Sequence, residues 1–261
     1  MKATRIVCWF SCGAASAVAT KLAINENAGK LPLIVARAIV REEHSDNDRF
    51  AADCQKWFGV PITNLINEKY DGSIYEVFRQ RNFISGINGA PCTMHLKKEP
   101  RLNMQLPNDV QIFGYCADEQ ERWDRFIDAN NIDAKAPLIE RGIMHDDCLA
   151  IVQKSGIELP TMYKLGYQHN NCIGCCKAGG KGYWNKIRVD FPAQFQRMAD
   201  ECRRLGVRMI KDADGSRLFL DELKDGEGDH LTEPSIQCGI FCEMASNEIS
   251  GYNPPVAGVG S

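Results

Sequence analysis

Residues 5–16 of the chain read RIVCWFSCGAAS, and residues 17–23, AVATKLA, follow them directly. The first six letters are mostly apolar and β-favouring, so they predict a short strand. The small residues after them predict a tight loop, and the run rich in Ala and Leu predicts a helix. The order strand, loop, helix is the beginning of a βαβ unit.

The first half of the chain repeats this alternation. An almost continuous apolar run over residues 31–40 predicts a strand that is buried on both faces. Strands alternating with helices predict an α/β fold with an open, mainly parallel sheet flanked by helices, similar to the adenine-nucleotide alpha-hydrolase fold. The other predicted segments are strands over residues 61–65 and 110–114, helices over residues 47–57 and 119–129, and a linker over residues 100–108.

The texture of the sequence changes in the last third, where glycines and prolines surround clustered cysteines. A helix is predicted over residues 192–205, with proline at its first position. The Gly- and Pro-rich residues 224–261 predict a partly mobile tail. The sequence therefore predicts an α/β domain over residues 1–165 and a small cysteine- and glycine-rich C-terminal region over residues 166–261.

Composition narrows the class of protein. The chain has 261 residues, of which 44% are hydrophobic and 25% charged, so it is long enough for a sizeable core and too apolar to be disordered. No apolar run approaches the roughly 20 residues of a membrane span, and the N-terminal apolar run is too short for a secretion signal. We therefore expect a cytoplasmic protein without membrane contact. A net charge of −3 does not support a broad nucleic-acid-binding surface, so nucleic acid could bind only at a local basic patch.

The loop after the first predicted strand is a candidate anion site. Backbone N–H groups at a helix N-terminus attract anions, and the helix dipole adds to the attraction. Two serine hydroxyls supply donors, and the glycine allows close approach of the backbone. The loop has neither the Gly-Lys-Ser/Thr ending of a P-loop nor G-x-G-x-x-G spacing, and the alternative is a tight turn without a ligand. The candidate residues are Ser11, Cys12, Gly13, Ala14, Ala15 and Ser16.

Cysteine is the unusual component, with 12 in the chain. In a reducing compartment such a content indicates metal, iron–sulfur or redox chemistry rather than disulfides. Cys172 and Cys175 form a C-x-x-C pair whose turn contains Gly174, and such a pair can chelate one metal or hold two corners of a cluster. The same spacing is compatible with a redox dithiol, whose thiolates Lys177 and Lys181 would stabilise.

A glycine-rich stretch, residues 177–188, follows the C-x-x-C pair. Its basic residues, Lys181 among them, are interleaved with Tyr183 and Trp184. Such a segment can clamp a phosphate chain and stack a base. The alternative is a glycine-rich turn into a helix whose aromatic residues belong to the core.

Further motifs follow the loop in a fixed order. Cys92 and Lys97 lie in the segment Pro-Cys-Thr-x-x-Leu-Lys-Lys-x-Pro, residues 91–100, and Glu119 and Arg122 lie in residues 114–122. With the loop and the C-x-x-C pair, these segments resemble the motifs of the phosphoadenosine phosphosulfate (PAPS) reductase family, in the adenine-nucleotide alpha-hydrolase (PP-loop) superfamily. The resemblance covers about residues 5–178, and its remaining matches are Pro137-Leu138, Asp146-Asp147, Leu159-Pro160, Tyr163 and Gly166-Tyr167.

This resemblance implies that residues 1–165 bind an adenine nucleotide. The nucleotide would be ATP, adenosine phosphosulfate (APS) or PAPS, with Mg²⁺ as a further candidate. Its phosphate or sulfate would lie on the loop, near Lys97, Glu119 and Arg122. From the glycine-rich stretch, Lys181 is a further candidate for phosphate binding.

The resemblance also implies a [4Fe–4S] cluster on Cys92, Cys172 and Cys175. Cys176, an external ligand or a tail cysteine would take the fourth position. The runner-up is zinc, and thiols without metal are the third interpretation. The cysteines of the zinc alternative are Cys172, Cys175, Cys238 and Cys242.

Within residues 5–178 the sequence departs from the family pattern at three positions. The loop has Ala15 where ATP-cleaving members have Asp and Cys12 where they have the second Gly, which puts ATP cleavage in doubt. Sulfonucleotide reductases typically lack that Asp as well. Cys116 replaces an expected Arg, so Arg122 and Arg125, which share one helix face, become the candidate anion contacts. Their alternative is a solvated helix face.

The tail carries a second cysteine motif. Residues 237–240, Gln-Cys-Gly-Ile, resemble the Glu-Cys-Gly-(Leu/Ile)-His tail of the reductases, in which the cysteine attacks the sulfonyl sulfur. The resemblance implies that Cys238 is the nucleophile. Gln237 and Phe241 stand where the family has Glu and His, and the next residue, Cys242, is a candidate for the thiol that resolves Cys238 over a short loop. The alternative is a pair of tail thiols without a role.

Three functions are compatible with these features. The first is thiol-dependent reduction of a sulfonucleotide to sulfite, with a thiol reductant protein such as thioredoxin as partner. The second is an ATP-dependent adenylating sulfurtransferase that modifies a nucleic acid or a metabolite, as in DNA phosphorothioation. The third is a non-catalytic nucleotide-binding module. For each of them we expect a small-molecule nucleotide ligand and a homo-oligomer.

Overall fold

A computed structural model describes residues 3–85, 89–130, 132–170, 172–212 and 214–229. In these residues five parallel strands form a central sheet, flanked by helices, which confirms the predicted α/β fold. The strands are β1 (Arg5–Trp9), β2 (Leu33–Ala38), β3 (Ile62–Leu65), β4 (Asp109–Ile112) and β5 (Ala134–Lys135).

The strands lie in the order β3-β2-β1-β4-β5. The chain therefore runs outward from β1 to β3 and then returns to place β4 on the other side of β1. In register, Ile6 is paired with Leu33 of β2 and with Val110 of β4. This reversal next to β1 creates a crevice at the carboxyl ends of β1 and β4.

Helices make up most of the remaining described structure. The first seven are α1 (Ala14–Asn27), α2 (Asn47–Phe58), α3 (Ile74–Arg81), α4 (Glu99–Met104), α5 (Gln120–Asn130), α6 (Pro137–Glu140) and α7 (His145–Lys154). They are followed by α8 (Thr161–Lys164), α9 (Lys181–Asp190) and α10 (Pro192–Leu205). A π-helical turn (Thr93–Lys98) precedes α4, and a short antiparallel pair, β6 (Ile210–Lys211) and β7 (Arg217–Leu218), follows α10.

The first core lies between the sheet and the helices α1, α2 and α7. Helix α1 is buried almost all round, because it packs against the sheet on one side and against α2, α6 and α7 on the others. Small residues such as Ala17 and Ala19 make this close packing feasible. The N-terminus of α1 is thereby fixed at the crevice beside β1.

A second core joins α3, α9 and α10. Its members include Phe78, Trp184 and Met198, all of which are fully buried. Residues on both sides of position 165 therefore contribute to one cluster. The division into domains 1–165 and 166–261 stays a prediction.

Most of the predicted elements are present. The helix predicted over residues 192–205 coincides with α10, and the helix predicted over residues 47–57 ends one residue later, at Phe58. The linker predicted over residues 100–108 is wrong, because residues 99–104 form α4. Pro100 lies in the first turn of that helix, where its missing N–H costs nothing and its fixed φ favours the helix. No helix in the described part of the chain is long and apolar enough to cross a membrane.

Gly114 allows the end of β4 to approach the start of α1, and we expect Gly114→Ala to destabilise the protein. A Cβ atom there would lie 2.6 Å from the backbone N and Cα of Ser16. Backbone atoms cannot rotate away, so the overpacking should lower the free energy of unfolding by roughly 1–3 kcal/mol. Urea denaturation would measure this loss.

Gly179→Ala is the matched control for that substitution. A Cβ at Gly179 would come no closer than 4.0 Å to any other group, the carbonyl O of Met209. The free energy of unfolding should therefore change by about 0.5 kcal/mol or less. Equal losses in the two variants would contradict the close approach of β4 and α1.

Candidate functional site

The carboxyl ends of β1, β2 and β4 meet at one edge of the sheet, and the loops that leave them build the candidate site. Residues 11–13 follow β1, residues 39–46 follow β2, and residues 113–116 follow β4. Open parallel sheets bind ligands in the crevice beyond the strand ends, where the strand order reverses. In this chain that position is the gap between β1 and β4.

Cys12 gives the β1–α1 loop a glycine-type backbone. Its φ is 57°, in the left-handed region that glycine favours, and it occupies the position where the resembled family has its second glycine. The side chain is fully buried, with its Sγ 3.7 Å from the carbonyl O of Asn47. Burial raises the pKa of Cys12 to about 12. Cys12 is therefore a neutral packing residue that shapes the loop.

Ser16 braces the loop from inside. Its Oγ accepts a hydrogen bond from the N–H of Ser11 (3.0 Å) and donates one to the carbonyl O of Gly13 (2.9 Å). Ser16 is buried, whereas Ser11 is exposed. Of the two predicted hydroxyl donors, Ser11 is therefore the one that a ligand can reach.

The backbone at the start of α1 offers donors to an anion. Gly13 and Ala15 are half-buried, and their N–H groups have no hydrogen-bond partner among the residues that the structure describes. The N–H of Ala14 lies 3.4 Å from the hydroxyl of Tyr163. Because α1 has 14 residues, its dipole adds a positive potential at these N–H groups. Anion binding by this loop stays a prediction.

Glu119 and Arg122 lie on the β4 side of the crevice. They form an ion pair with each other, and the Arg122 guanidinium lies 5.1 Å from the centre of the Tyr115 ring. Glu119 also accepts a hydrogen bond from the N–H of Cys116 (3.1 Å). The Arg122 side chain is 66% exposed, so an anion can reach it, whereas Glu119 stabilises the turn at the start of α5.

Two histidines that the sequence analysis did not propose lie near this crevice. The ring of His145 lies 5.7 Å from that of Tyr163 and 6.0 Å from that of His169. Burial and the neighbouring His145 lower the pKa of His169, and the charges of Glu119 and Arg122 also act on it. No sequence pattern could have identified this group, because only the fold brings its members together.

Asn170 connects the C-x-x-C segment to the loop. Its Nδ2 donates hydrogen bonds to the carbonyl O of Cys12 (2.6 Å) and to Oδ1 of Asn47 (2.7 Å). A few residues later, the N–H of Ile173 donates to the carbonyl O of Glu42 (2.8 Å). Asn170 and Ile173 therefore each contact the carboxyl edge of the sheet, Asn170 at the loop after β1 and Ile173 after β2.

The four predicted cysteine ligands lie at the far end of this segment and around the π-helical turn. The Sγ atoms of Cys92 and Cys176 are 3.9 Å apart. The charges of Cys92 and Cys175 act on Cys172, and burial raises the pKa of Cys172. Cys176 is buried, whereas Cys175 is half-buried. We call these four residues the thiol cluster.

Basic residues stabilise a thiolate in the thiol cluster. The hydrogen bond from Cys176 lowers the pKa of Cys92 to about 7, with the charges of Lys177 and Lys97 acting in the same direction against burial. Lys97 forms an ion pair with Glu43 (Nζ–Oε1 3.2 Å). The charges of Lys97 and Glu43 act on both Cys12 and Cys172, so they lie between the loop and the cluster.

The donor chemistry of the thiol cluster suits a soft metal. A tetrahedral ion with metal–sulfur bonds of about 2.3 Å holds its sulfurs about 3.8 Å apart, close to the 3.9 Å between Cys92 and Cys176. Cys172 and Cys175 supply further thiols nearby. Within the described ranges, no group of three His, Cys, Asp or Glu side chains is already arranged around one metal position. The [4Fe–4S] cluster and zinc both stay predictions.

Other predicted site residues lie elsewhere. Lys181 forms ion pairs with Asp212 (2.9 Å) and Glu227 (2.8 Å), so two carboxylates already balance its charge. Trp184 is fully buried and its Nε1 donates to the carbonyl O of Ala178 (2.6 Å). Of the two interpretations of residues 177–188, the structure favours the turn into a helix with a core aromatic residue.

The predicted nucleophile and its resolving thiol, Cys238 and Cys242, lie outside the described residues. The zinc alternative, which uses both of them, lies partly outside as well.

Alkylation can measure the predicted acidity of Cys92 in protein freed of metal by a chelator. The rate of iodoacetamide labelling follows the thiolate fraction, so labelling of Cys92 should be half-maximal near pH 7. Cys176→Ala removes the hydrogen bond to the thiolate and should move this midpoint to higher pH. Mass spectrometry of the labelled peptides would follow both.

Cys202 is an internal control in the same experiment. Burial raises the pKa of Cys202 to about 12, so it should stay unlabelled over the same pH range in the native protein. A labelling midpoint of Cys92 near that of an ordinary thiol, roughly 8.5, would show that the cluster does not stabilise its thiolate.

A scan against protein-family models and a search of curated proteins found no match for this chain. The resemblance to the PAPS reductase family therefore rests on the motifs themselves and stays a prediction.

Proposed function

We propose that the chain is an adenine-nucleotide-dependent enzyme of sulfur chemistry, and that its reaction is the thiol-dependent reduction of a sulfonucleotide, APS or PAPS, to sulfite. One observation carries the proposal: Asn170 contacts an anion-type loop and Ile173, beside the thiol cluster, contacts the residues after β2 at the same edge of the sheet. A nucleotide in the crevice would place its phosphate or sulfate on the loop. The thiol cluster would lie beside the same bound nucleotide.

The loop would bind the phosphate or sulfate of the nucleotide. The N–H groups of Gly13 and Ala15 would donate to its oxygens, as at other helix N-termini. The Ser11 hydroxyl and the exposed guanidinium of Arg122 would add contacts from the two sides of the crevice. His169, whose pKa is lowered by burial, would be neutral at pH 7 and able to accept a proton there.

The reaction needs a nucleophilic thiolate, and we assign this role to Cys238. Its sulfur would attack the sulfonyl sulfur, forming an S–S bond while the S–O bond to the nucleotide breaks and the electron pair leaves with the nucleotide phosphate. A thiolate, from Cys242 or from a reductant protein such as thioredoxin, would then attack Cys238 Sγ. That step releases sulfite and leaves a disulfide, so the two electrons come from the thiols.

The thiol cluster would hold the metal cofactor. Cys92, Cys172 and Cys175, with Cys176 as the fourth candidate, are the residues that would bind a [4Fe–4S] cluster or zinc. When bound, such a group would supply a thiophilic metal beside the crevice, with its thiolate ligands offsetting its positive charge. Lys97 lies between the cluster and the loop in an ion pair with Glu43.

A second candidate is the ATP-dependent sulfurtransferase, and the acidity of Cys92 favours it. A thiolate with a pKa of about 7 beside the crevice is a competent sulfur carrier. Ala15 weighs against this reading, because the Asp that assists pyrophosphate release in ATP-cleaving relatives is missing. The reductase therefore remains the first proposal.

Product analysis tests the reductase against its alternatives. Anaerobically purified protein should release sulfite from APS or PAPS in the presence of thioredoxin, and Cys238→Ser should abolish this release while leaving nucleotide affinity within about twofold. Pyrophosphate from ATP, without sulfite, would establish the sulfurtransferase instead. Nucleotide binding without either product would support the third function, a non-catalytic nucleotide-binding module. Iron and acid-labile sulfide analysis of the same protein would distinguish a cluster from zinc.

A negative charge introduced at position 15 tests whether the loop binds the nucleotide, independently of the reaction. Ala15→Glu places a carboxylate in the first turn of α1. There it interacts favourably with the helix dipole but repels an anionic ligand. We expect nucleotide affinity to fall roughly tenfold or more relative to Ala15→Gln, which has the same size without charge. Isothermal titration calorimetry would measure both affinities. Equal affinities of the two variants would show that the phosphate does not bind at this loop.

A further inference from the structure

Two sulfur atoms of the thiol cluster lie close enough to react with each other. The Sγ atoms of Cys92 and Cys176 are 3.9 Å apart, although the two residues are 84 positions apart in the chain. Both residues are free thiols. A disulfide needs a sulfur–sulfur distance of about 2.05 Å, so the two sulfurs would have to approach by only roughly 2 Å. The fold therefore brings two thiols from separate segments within reach of a covalent bond.

The other two cysteines of the cluster are placed differently. In the described part of the chain, neither Cys172 nor Cys175 forms a sulfur–sulfur hydrogen bond like that between Cys92 and Cys176. The N–H of Cys175 instead donates to the Tyr183 hydroxyl (2.9 Å), which holds the C-x-x-C turn against α9. The contact between Cys92 and Cys176 is thus a specific feature of the cluster.

The two sulfurs of this pair differ in their access to solvent. Cys92 is half-buried and directly precedes the π-helical turn, where the charges of Lys177 and Lys97 act on it. Cys176 is buried, with 4% of its surface exposed, and its Sγ lies 3.9 Å from the carbonyl O of Ile84. A small oxidant would therefore reach Cys92 first, with Cys176 held directly beside it.

We propose that Cys92 and Cys176 form a peroxide-sensitive pair, in which Cys92 reacts with a hydroperoxide and Cys176 resolves the product as a disulfide. In a reducing compartment such a bond is transient and regulatory rather than a permanent crosslink. A thiol reductant would restore both cysteines by thiol–disulfide exchange. The pair would thus be a reversible oxidation site.

The two steps of the oxidation balance with the peroxide as the only co-reactant. The Cys92 thiolate attacks one peroxide oxygen, so an S–O bond forms, the O–O bond breaks and the other oxygen leaves as hydroxide. Cys92 is thereby oxidised to a sulfenic acid, and the peroxide is reduced. The sulfur of Cys176 then attacks the sulfur of Cys92, so the S–S bond forms and the S–O bond breaks. The oxygen leaves as water and takes the thiol proton of Cys176 with it.

The disulfide would remove two of the four candidate ligands from the thiol cluster. A metal binds thiolates, and a sulfur in a disulfide is no longer one. Oxidation of the pair would therefore prevent metal binding, and a bound metal would protect Cys92 from the peroxide. This consequence rests on the proposed function, whereas the disulfide itself needs only the two thiols.

Mass spectrometry of the full chain tests the proposal. Protein that has been reduced and freed of metal by a chelator is exposed to equimolar hydrogen peroxide, blocked with N-ethylmaleimide and digested with trypsin. Cys92 then lies in peptide 82–97, and Cys176 lies in peptide 165–177 together with Cys172 and Cys175. We expect a bond between the two peptides that a reductant cleaves. Fragment ions of the linked wild-type peptides should place that bond at Cys176.

Three alanine variants are matched to one another. Cys176→Ala should abolish the link and leave Cys92 as a sulfenic acid, which dimedone should trap roughly tenfold more than in the wild-type protein. Cys172→Ala and Cys175→Ala should each preserve the link, because neither removes a member of the pair. The fragment ions of the wild-type peptides assign the bond even where a variant does not fold.

The position of the bond decides the outcome. A bond from Cys92 to Cys172, to Cys175 or to a tail cysteine would overturn the proposal, and so would a bond confined to peptide 165–177 or the absence of any bond to Cys92.

The same oxidation of zinc-loaded protein separates the thiol pair from the metal site. Bound zinc should slow formation of the link roughly tenfold or more. A link between Cys92 and Cys176 that forms equally fast with and without zinc would establish the pair and contradict the metal site of the proposed function.

Discussion

The hydrogen bonds of one buried amide hold the candidate site together. Asn170 donates both to the carbonyl O of Cys12 and to Oδ1 of Asn47. It thereby joins the loop after β1, the start of α2 and the C-x-x-C segment at a single point. Without these bonds, two buried acceptors would lose their donor, and the Ile173–Glu42 hydrogen bond and the Lys97–Glu43 ion pair would be left to hold the thiol cluster at this edge of the sheet. The nucleotide crevice and the sulfur chemistry proposed for it both depend on this junction.

A second constraint acts on the loop itself. Cys12 adopts a left-handed backbone, which costs a residue with a side chain about 1–2 kcal/mol. Burial of its side chain and the internal bonds of Ser16 offset that cost, so the loop keeps the shape that a glycine would give it. The shape, and not the residue type, leaves the N–H groups of Gly13 and Ala15 without internal partners. The described part of the chain therefore leaves these donors free at the start of α1 with Cys12 and Ala15 in the loop.

The alternation of strands and helices could be predicted from the sequence because it depends on local patterns. In residues 5–16, an apolar run before small residues predicts the strand and the loop. In residues 192–205, the proline at the first position predicts the start of the helix. The site could be predicted only in part. Motif order predicted Cys92 and the C-x-x-C pair as ligands, but Asn170 could not be predicted because its contacts are with residues 123 and 158 positions away. The surroundings of Lys181 could not be predicted either, since a basic residue in a glycine-rich stretch does not reveal the two carboxylates that the fold brings to it.

The protonation of the thiol cluster links its environment to its chemistry. Cys92 is close to half ionised at pH 7, whereas burial raises the pKa of Cys172 and the hydrogen bond to Cys92 raises that of Cys176. A metal binds thiolates, so occupation of the cluster must displace protons from the buried thiols, and metal affinity must rise with pH. Without metal, one thiolate beside protonated neighbours is a nucleophile with an adjacent proton donor. The protonation of the same four cysteines would therefore differ between a metal-bound and a metal-free protein, and the proposed chemistry depends on which of these states the protein adopts.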